Sequence, residues 1–185
     1  MVELRAFAPT SAIRGTYDQL EALWGTLKLA LLGSRPAQPA APGLLALDGK
    51  VLALAHQGTQ QLEQQGGKPL GHLVNLAGRQ RMLSQRMAKF QLALGWRAGP
   101  EALEQIAAAR REFVAALDVL DQAPEATPTI HAELTLARQQ WVIFDSALNR
   151  AHPNGPREAA DVFVCSENIL LVMDRITGLY ARLGA

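Results

Sequence analysis

Apolar residues recur every three or four positions along most of the chain, a spacing that indicates amphipathic helices rather than strands. Proline and glycine interrupt this pattern and divide the chain into six predicted helices. They cover, approximately, residues 10–32, 44–65, 69–99, 100–122, 127–152 and 156 to almost 185. Thr10 or Ser11 is the candidate N-cap of the first helix, and Thr127 that of the fifth. The sequence therefore predicts an all-α protein.

The last four predicted helices have similar lengths and short connections. Each carries an apolar stripe, which in the third helix includes Leu83, Met87 and Phe90. Such helices close an antiparallel up-and-down four-helix bundle, which we expect over residues 68–185. The first two helices, within residues 1–67, are left over as an additional N-terminal helical pair. The loop after the first helix contains Pro36, Pro39 and Pro42, and we expect these prolines to exclude helix there.

The leftover pair has the pattern of a partial repeat. The segment around Trp24 resembles the segment around Trp141, and the segment around Asp48 resembles the one around Asp174. The first and second helices would then correspond to the fifth and sixth. Residues 1–67 are thus interpreted as the back half of a second repeat.

Composition bounds the class of protein. The 185 residues carry a formal net charge of +1, which argues against a general binder of nucleic acid or of membrane surfaces. No apolar stretch approaches the roughly 18 residues of a membrane span. The start lacks the pattern of a signal peptide, so we expect a soluble protein, cytoplasmic if Met1 is the native start and periplasmic if a leader has been removed. The single cysteine, Cys165, is expected to be a packed thiol.

The most informative segment is residues 75–89, NLAGRQRMLSQRMAK, hereafter the arginine motif. Residues 64–100, which contain it, include no Asp or Glu. The six cationic residues of that stretch are Lys68, Arg79, Arg81, Arg86, Lys89 and Arg97. A cationic helix without acids of its own either faces solvent or binds an anion. The alternative is a solvent-exposed basic face, although exposed helix faces usually carry charges of both signs, spaced for i,i+4 ion pairs.

Helical geometry separates the motif arginines. Arg79 and Arg86 fall on the shoulder of the apolar stripe, whereas Arg81 is about 140° away from Arg86 and is expected to point away from its own bundle. One helix cannot easily bring Arg81 and Arg86 onto one small ligand, but two copies meeting at a two-fold axis can. Guanidinium suits an oxyanion because it is planar, always charged and bidentate. Gly78, without a Cβ, would allow a neighbouring backbone to approach closely.

The arginine motif resembles the signature of the PilJ/NarX-type sensor domain, found in type IV pili methyl-accepting chemotaxis transducers and in nitrate/nitrite sensors. The segments QQW, VFVCSENILLVMDRITGLY and LALDGKVLALA also resemble that family. The resemblance implies a homodimer with the ligand between two copies of the motif helix, held by Arg81 and Arg86, with Gly78 as the family glycine. Further expected ligand-binding residues are Arg79, Met82 and Gln85. Arg79 alternatively pairs with an acid elsewhere.

Three functions remain open at this point. The first is a non-catalytic sensory or regulatory bundle that binds a small inorganic anion, with nitrate or nitrite as first candidates. The second is a helical interaction or scaffold module in signalling or chemotaxis, whose basic helix docks on an acidic partner protein. The third, nucleic-acid binding, is disfavoured by the charge and by the lack of aromatic residues among the arginines.

We predict no enzyme, metal or cofactor. The histidines, at positions 56, 72, 131 and 152, lie on separate predicted elements, without an HxxxH pair that would hold a metal on one helix. Asp48 and Asp174 are interpreted as solvated or salt-bridged residues, with the alternative that one is the counter-ion of a motif arginine.

Overall fold

The computed structural model describes residues 2–33, 35–150 and 155–184, and none of these residues forms a strand. The regular elements are helices α1 (Val2–Phe7), α2 (Ser11–Leu32), α3 (Ala41–Gly66), α4 (Pro69–Gly95), α5 (Ala102–Gln122), α6 (Pro128–Arg150) and α7 (Pro156–Leu183), with a short 3₁₀ turn at Gln38–Ala40. The predicted all-α class, with a four-helix bundle and an additional N-terminal pair, is confirmed. The chain divides into two compact units, Met1–Gly67 and Lys68–Ala185, hereafter unit 1 and unit 2.

Unit 2 is the four-helix bundle. Helix α4 lies against both α5 and α7, and α6 lies against α7 and, less extensively, α5. The core is continuous across all four helices, and its largest fully buried side chains are those of Leu83, Met87, Phe113, Leu117, Leu120, Ile130, Leu134, Phe144, Ile169, Met173, Ile176 and Tyr180. The arrangement places α4 between two neighbours, so it has a buried face, two flanks and a solvent face.

Unit 1 is built on the pairing of α2 with α3. Its core is small and contains Ala8, Ile13, Tyr17 and Leu20 as buried residues. Gly58 of α3 lies against the ring of Tyr17, where a Cβ would come within 2.9 Å of Cε1. A glycine is therefore required at this crossing of the two helices by the space the ring occupies.

Two predicted helix boundaries are wrong for identifiable reasons. Proline was expected to exclude helix between residues 36 and 42, but Pro42 lies in the first turn of α3, where a missing N–H costs nothing. The third helix was expected to reach residue 99, but α4 ends at Gly95 because Arg97 adopts a left-handed backbone with φ of 53°. The short helix α1 was not predicted at all.

Other boundaries follow the predicted capping residues. Thr10 Oγ1 accepts a hydrogen bond from Ile13 N at 3.2 Å, and Thr127 Oγ1 accepts one from Ile130 N at 3.3 Å. Gly67 ends α3 in the left-handed conformation, φ 60°, that glycine adopts without cost. The break predicted before Pro153, and His152 with it, lie outside the described residues.

Candidate functional site

The arginine motif lies in the middle of α4, and its buried face is partly polar. Gln80 and Ser84 are fully buried. Ser84 Oγ donates to the Arg81 carbonyl oxygen at 2.8 Å, and Gln80 Nε2 donates to the Leu76 carbonyl oxygen at 2.8 Å. Both side chains satisfy a donor on their own helix. The predicted apolar stripe is therefore interrupted at the level of the arginines, which the spacing of Leu83 and Met87 did not reveal.

On the flank toward α5, two motif arginines reach across to that helix. Arg79 Nε donates to Glu112 Oε1, and Arg79 Nη2 donates to Glu112 Oε2 at 3.1 Å. Two turns further along α4, Arg86 Nη2 donates to the amide oxygen of Gln105. The Arg86 guanidinium also lies over the Phe90 ring, with Cζ 5.2 Å from the centroid. Within the described residues, Arg86 contacts no carboxylate.

On the flank toward α7, the partners are both acids. Arg81 Nη1 donates to Asp174 Oδ1, and Gln85 Nε2 donates to Glu167 Oε1 at 2.9 Å. The Arg81–Asp174 pair is open to solvent, with side chains 40% and 62% exposed. The alternative that Asp174 is the counter-ion of a motif arginine is confirmed.

These contacts correct the expected surroundings of the cationic stretch. Arg81 was expected to point away from its own bundle, but it lies along the edge of α7 because Asp174 attracts it there. The alternative that Arg79 pairs with an acid elsewhere is confirmed by Glu112. The acids that α4 lacks are supplied by its two neighbours. Arg81 and Arg86 therefore lie on opposite flanks of α4, as their angular separation predicts.

Between the arginine contacts of the two flanks, a row of residues runs along the outer side of α4 to its C-cap, Trp96, hereafter the outer stripe. Its members alternate at steps of four and three, the spacing of a helix–helix seam. They are Gly71, Asn75, Gly78, Met82, Gln85, Lys89, Leu92 and Trp96. Leu92 and Trp96 are 39% and 46% exposed, whereas the members from Asn75 to Lys89 are half-buried, and Met82 packs against the bundle core. Expected ligand-binding residues Gly78, Met82 and Gln85 thus share one face.

Gly78 has room for a side chain within its own chain. A Cβ there would meet Arg81 Nη2 at 3.7 Å and Thr177 Cγ2 at 3.8 Å, which are ordinary van der Waals distances. A mid-helix glycine costs roughly 1 kcal/mol relative to alanine. The glycine is therefore not explained by packing inside the described bundle.

Other chemistry is sparse in the part of the chain that the structure describes. No group of three or more His, Cys, Asp or Glu side chains is arranged to hold a metal ion there. No helix in that part is long and apolar enough to cross a membrane. Burial and the nearby Asp161 raise the pKa of the half-buried Cys165 thiol, so the thiol is not activated as a nucleophile.

Apart from Asp174, which was named as an alternative, the partners of the motif side chains were missed from sequence, although a signal exists. Gln105 and Glu112 are seven residues apart, as are Arg79 and Arg86, and antiparallel helices bring two such pairs level with each other. Glu167 and Asp174 repeat the same spacing on α7. Matching heptad-spaced polar residues between predicted neighbours would have found the contacts with α5 but not those with α7, because Arg81 and Gln85 are only four residues apart.

Comparison with known proteins adds the family. The model of the type IV pili methyl-accepting chemotaxis transducer N-terminal domain, PilJ, matches residues 61–162. The chain belongs to this family. The match spans α4, α5 and α6 and includes the entire arginine motif and its partners on α5. It ends in the second turn of α7, so Glu167 and Asp174 lie beyond it. Neither a curated protein nor a solved structure matches the chain. The PilJ-type bundle is a helical module of chemotaxis signalling and belongs to a non-catalytic family.

Proposed function

We propose that the PilJ-type bundle is a sensory or regulatory module that binds a small inorganic anion between two copies of α4, with nitrate and nitrite as the first candidates. The observation that carries the proposal is the placement of Arg81 and Arg86 on opposite flanks of the outer stripe. Arg86 has a neutral partner, so its positive charge is not compensated by a carboxylate in the described residues. A guanidinium in this state suits an oxyanion.

A homodimer would bring the two arginines together. If the outer stripes of two parallel α4 helices face each other across a two-fold axis, the α7 flank of one copy lies beside the α5 flank of the other. Arg81 of one copy then lies on the same side of the seam as Arg86 of the second copy. The positions of Arg81 and Arg86 on opposite flanks keep them apart within one chain, and the same positions bring them together across the dimer.

The Arg81–Asp174 contact does not prevent this function. Ion pairs between exposed side chains contribute roughly 0–1 kcal/mol, and this pair is largely exposed. Charge-assisted hydrogen bonds to a sequestered anion contribute roughly 1.5–3 kcal/mol each. Binding of an anion at the seam can therefore compete for Arg81. Gly78 also supports the proposal. The bundle itself has room for a Cβ at this position, whereas a second helix that approaches closely would require the glycine.

The test is thermal unfolding of the full chain with nitrate, nitrite, sulfate, phosphate and chloride at matched ionic strength. A ligand at 100 times its dissociation constant adds about 2.7 kcal/mol, which raises the midpoint by several degrees. We expect Arg81→Ala and Arg86→Ala each to remove that rise. Arg175→Ala is the matched control, because Arg175 pairs with Glu133 away from α4. An equal response to every salt would contradict anion binding.

A second candidate is a helical interaction module that docks on an acidic partner protein. The observation in its favour is the C-terminal part of the outer stripe, where Leu92 and Trp96 are exposed beside the exposed Arg97. Aromatic and arginine side chains are enriched at protein interfaces. This function predicts a partner contact that weakens with salt and is lost in Trp96→Ala. Insensitivity of that contact to nitrate would separate it from anion sensing.

A further inference from the structure

The flanks of α4 differ in how they compensate the arginines, and this difference bears on which anion the seam prefers. On the α5 flank, Arg79 and Arg86 face one carboxylate, Glu112, and one neutral amide. On the α7 flank, Arg81 faces Asp174, and a second acid, Glu167, lies seven residues earlier on the same helix face. Three arginines and three carboxylates thus lie around the motif, but in the described residues they form only two ion pairs, because Arg86 contacts Gln105 and Glu167 accepts from Gln85.

We infer that Asp174 sets the charge selectivity of the proposed anion site, favouring monovalent over divalent anions; the inference rests on the proposed function. Asp174 acts in two ways. Its carboxylate competes with the ligand for the Arg81 guanidinium, and its negative charge remains near any anion that Arg81 binds. The first effect weakens all anions, whereas the second depends on the ligand's charge.

The dependence on charge is quantitative. The Coulomb energy between a fixed carboxylate and an anion is proportional to the anion's charge, so the penalty for sulfate is twice that for nitrate. Because an affinity ratio depends exponentially on a free-energy difference, doubling this energy squares the ratio by which the affinity changes. If loss of this repulsion alone tightens nitrate by roughly threefold, it should tighten sulfate by roughly tenfold, and loss of the competition multiplies both affinities by the same factor.

Asp174 is suited to this role by its position. Its side chain is 62% exposed and contacts no other cation in the described residues, so it is not needed to hold the bundle together. Glu167 differs, because it accepts from the neutral Gln85 and does not occupy an arginine. Asp174 is therefore the acid whose removal both frees a guanidinium and changes the local charge.

The test compares nitrate and sulfate affinities of the full chain, measured by calorimetric titration at constant ionic strength. Asp174→Asn removes the charge and keeps the shape, and Asp174→Glu keeps the charge. Asp118→Asn is the matched control, because it changes the net charge equally at an exposed acid that pairs with Arg138 on α6. We expect Asp174→Asn to tighten sulfate roughly threefold more than it tightens nitrate, with both other variants near the wild type.

The outcomes separate the two levels of the argument. If the wild type binds nitrate, Arg86→Ala abolishes binding and Asp174→Asn leaves both affinities unchanged, the inference is wrong and the proposed function stands. Equal tightening of nitrate and sulfate would also overturn it, because competition alone would then explain the effect. If neither the wild type nor Asp174→Asn binds any anion, the proposed function is wrong and the inference falls with it.

Discussion

Arg79 on α4 and Glu112 on α5 are joined through both carboxylate oxygens, across a sequence separation of 33 residues. The side chains are 27% and 39% exposed, so the pair is partly shielded from water. Two-point contacts between guanidinium and carboxylate are geometrically specific and stronger than single ones. The pair therefore fixes the register of α4 against α5 at the level of the arginine motif.

Replacing Glu112 by Gln should lower the free energy of unfolding of unit 2 by about 1 kcal/mol, because Arg79 then keeps a partner but loses the charge interaction. Urea unfolding followed by circular dichroism measures the change. Asp118→Asn, which affects a more exposed single contact to Arg138, should change it by less. Equal effects of the two variants would show that the two-point geometry adds nothing.

The Tyr180 hydroxyl donates to the Leu120 carbonyl oxygen at 2.6 Å inside the bundle. Burial, with the nearby Glu125 and Asp121, raises the pKa of Tyr180 to about 12. The unfolded chain releases this proton near pH 10. The contribution of the Tyr180 hydroxyl to the free energy of unfolding is therefore fully present below pH 10 and is lost as the pH rises toward 12. We expect the unfolding midpoint to fall across that window.

Tyrosinate absorbance provides the measurement for this prediction. The chain has two tyrosines, and burial also raises the pKa of Tyr17. The native protein should therefore show little tyrosinate near pH 10.5, whereas the urea-unfolded protein shows the signal of both residues. Tyr180→Phe should cost roughly 0.5–1.5 kcal/mol at neutral pH and flatten the loss of stability between pH 10 and 12. Normal ionisation in the native state would contradict the buried hydrogen bond.

Gly58→Ala should destabilise unit 1, because the new Cβ would lie within 2.9–3.1 Å of three atoms of the buried Tyr17 side chain. Overpacking of this kind costs roughly 1–3 kcal/mol. Gly49→Ala, in the same helix with nothing within 4 Å, should instead add up to about 1 kcal/mol through helix propensity. Amide hydrogen exchange in α2 and α3 measures both. Opposite signs are expected, and stabilisation by both variants would refute the packing of Tyr17 on Gly58.

Gly78→Ala should separate folding from self-association. Because the bundle has room for the Cβ, we expect a gain of up to about 1 kcal/mol in unfolding free energy. We expect self-association to weaken, since a methyl group would hold the second α4 away. Sedimentation velocity over a concentration range measures association, with Gly49→Ala as the control for propensity. Unchanged association would show that Gly78 is not in a homodimer interface.

Helix positions were largely readable from the sequence because proline, glycine and capping threonines mark most ends. One error occurred because the same residue type is excluded from one part of a helix and favoured in another. Proline excludes the interior of a helix but fits its first turn, as at Pro42. Arg97 follows the end of α4 with a positive φ. Neither the residue type nor the spacing of apolar residues predicts that backbone conformation.

The site was less predictable than the fold. Helical geometry placed Arg81 and Arg86 on different sides of α4, and that separation is observed. Helical geometry did not give the partners, because Glu112 and Asp174 are 33 and 93 residues away from the arginines they contact. Asp174 was only one of two alternatives for a counter-ion. Charge within a window of the sequence suggested an uncompensated helix, whereas compensation depends on which helices are neighbours.

The proposed repeat illustrates a different limit. Trp141 stacks on Phe113 of α5, with centroids 4.9 Å apart, whereas Trp24, its counterpart by sequence, is 44% exposed. Similar helices thus bury similar residues to different extents, because exposure depends on the elements that surround them. That residues 1–67 are the back half of a second repeat stays a prediction.

The contact between Arg81 and Asp174 also has an evolutionary consequence. A pair that served stability alone would be expected to vary jointly among descendants, one position following the other. If Arg81 must also serve a ligand, the constraint becomes one-sided: the arginine is held, while the exposed acid opposite is released to vary without endangering the bundle. Position 174 is then the place where single substitutions can retune ligand preference in small steps, and where lineages that meet different anions should diverge first.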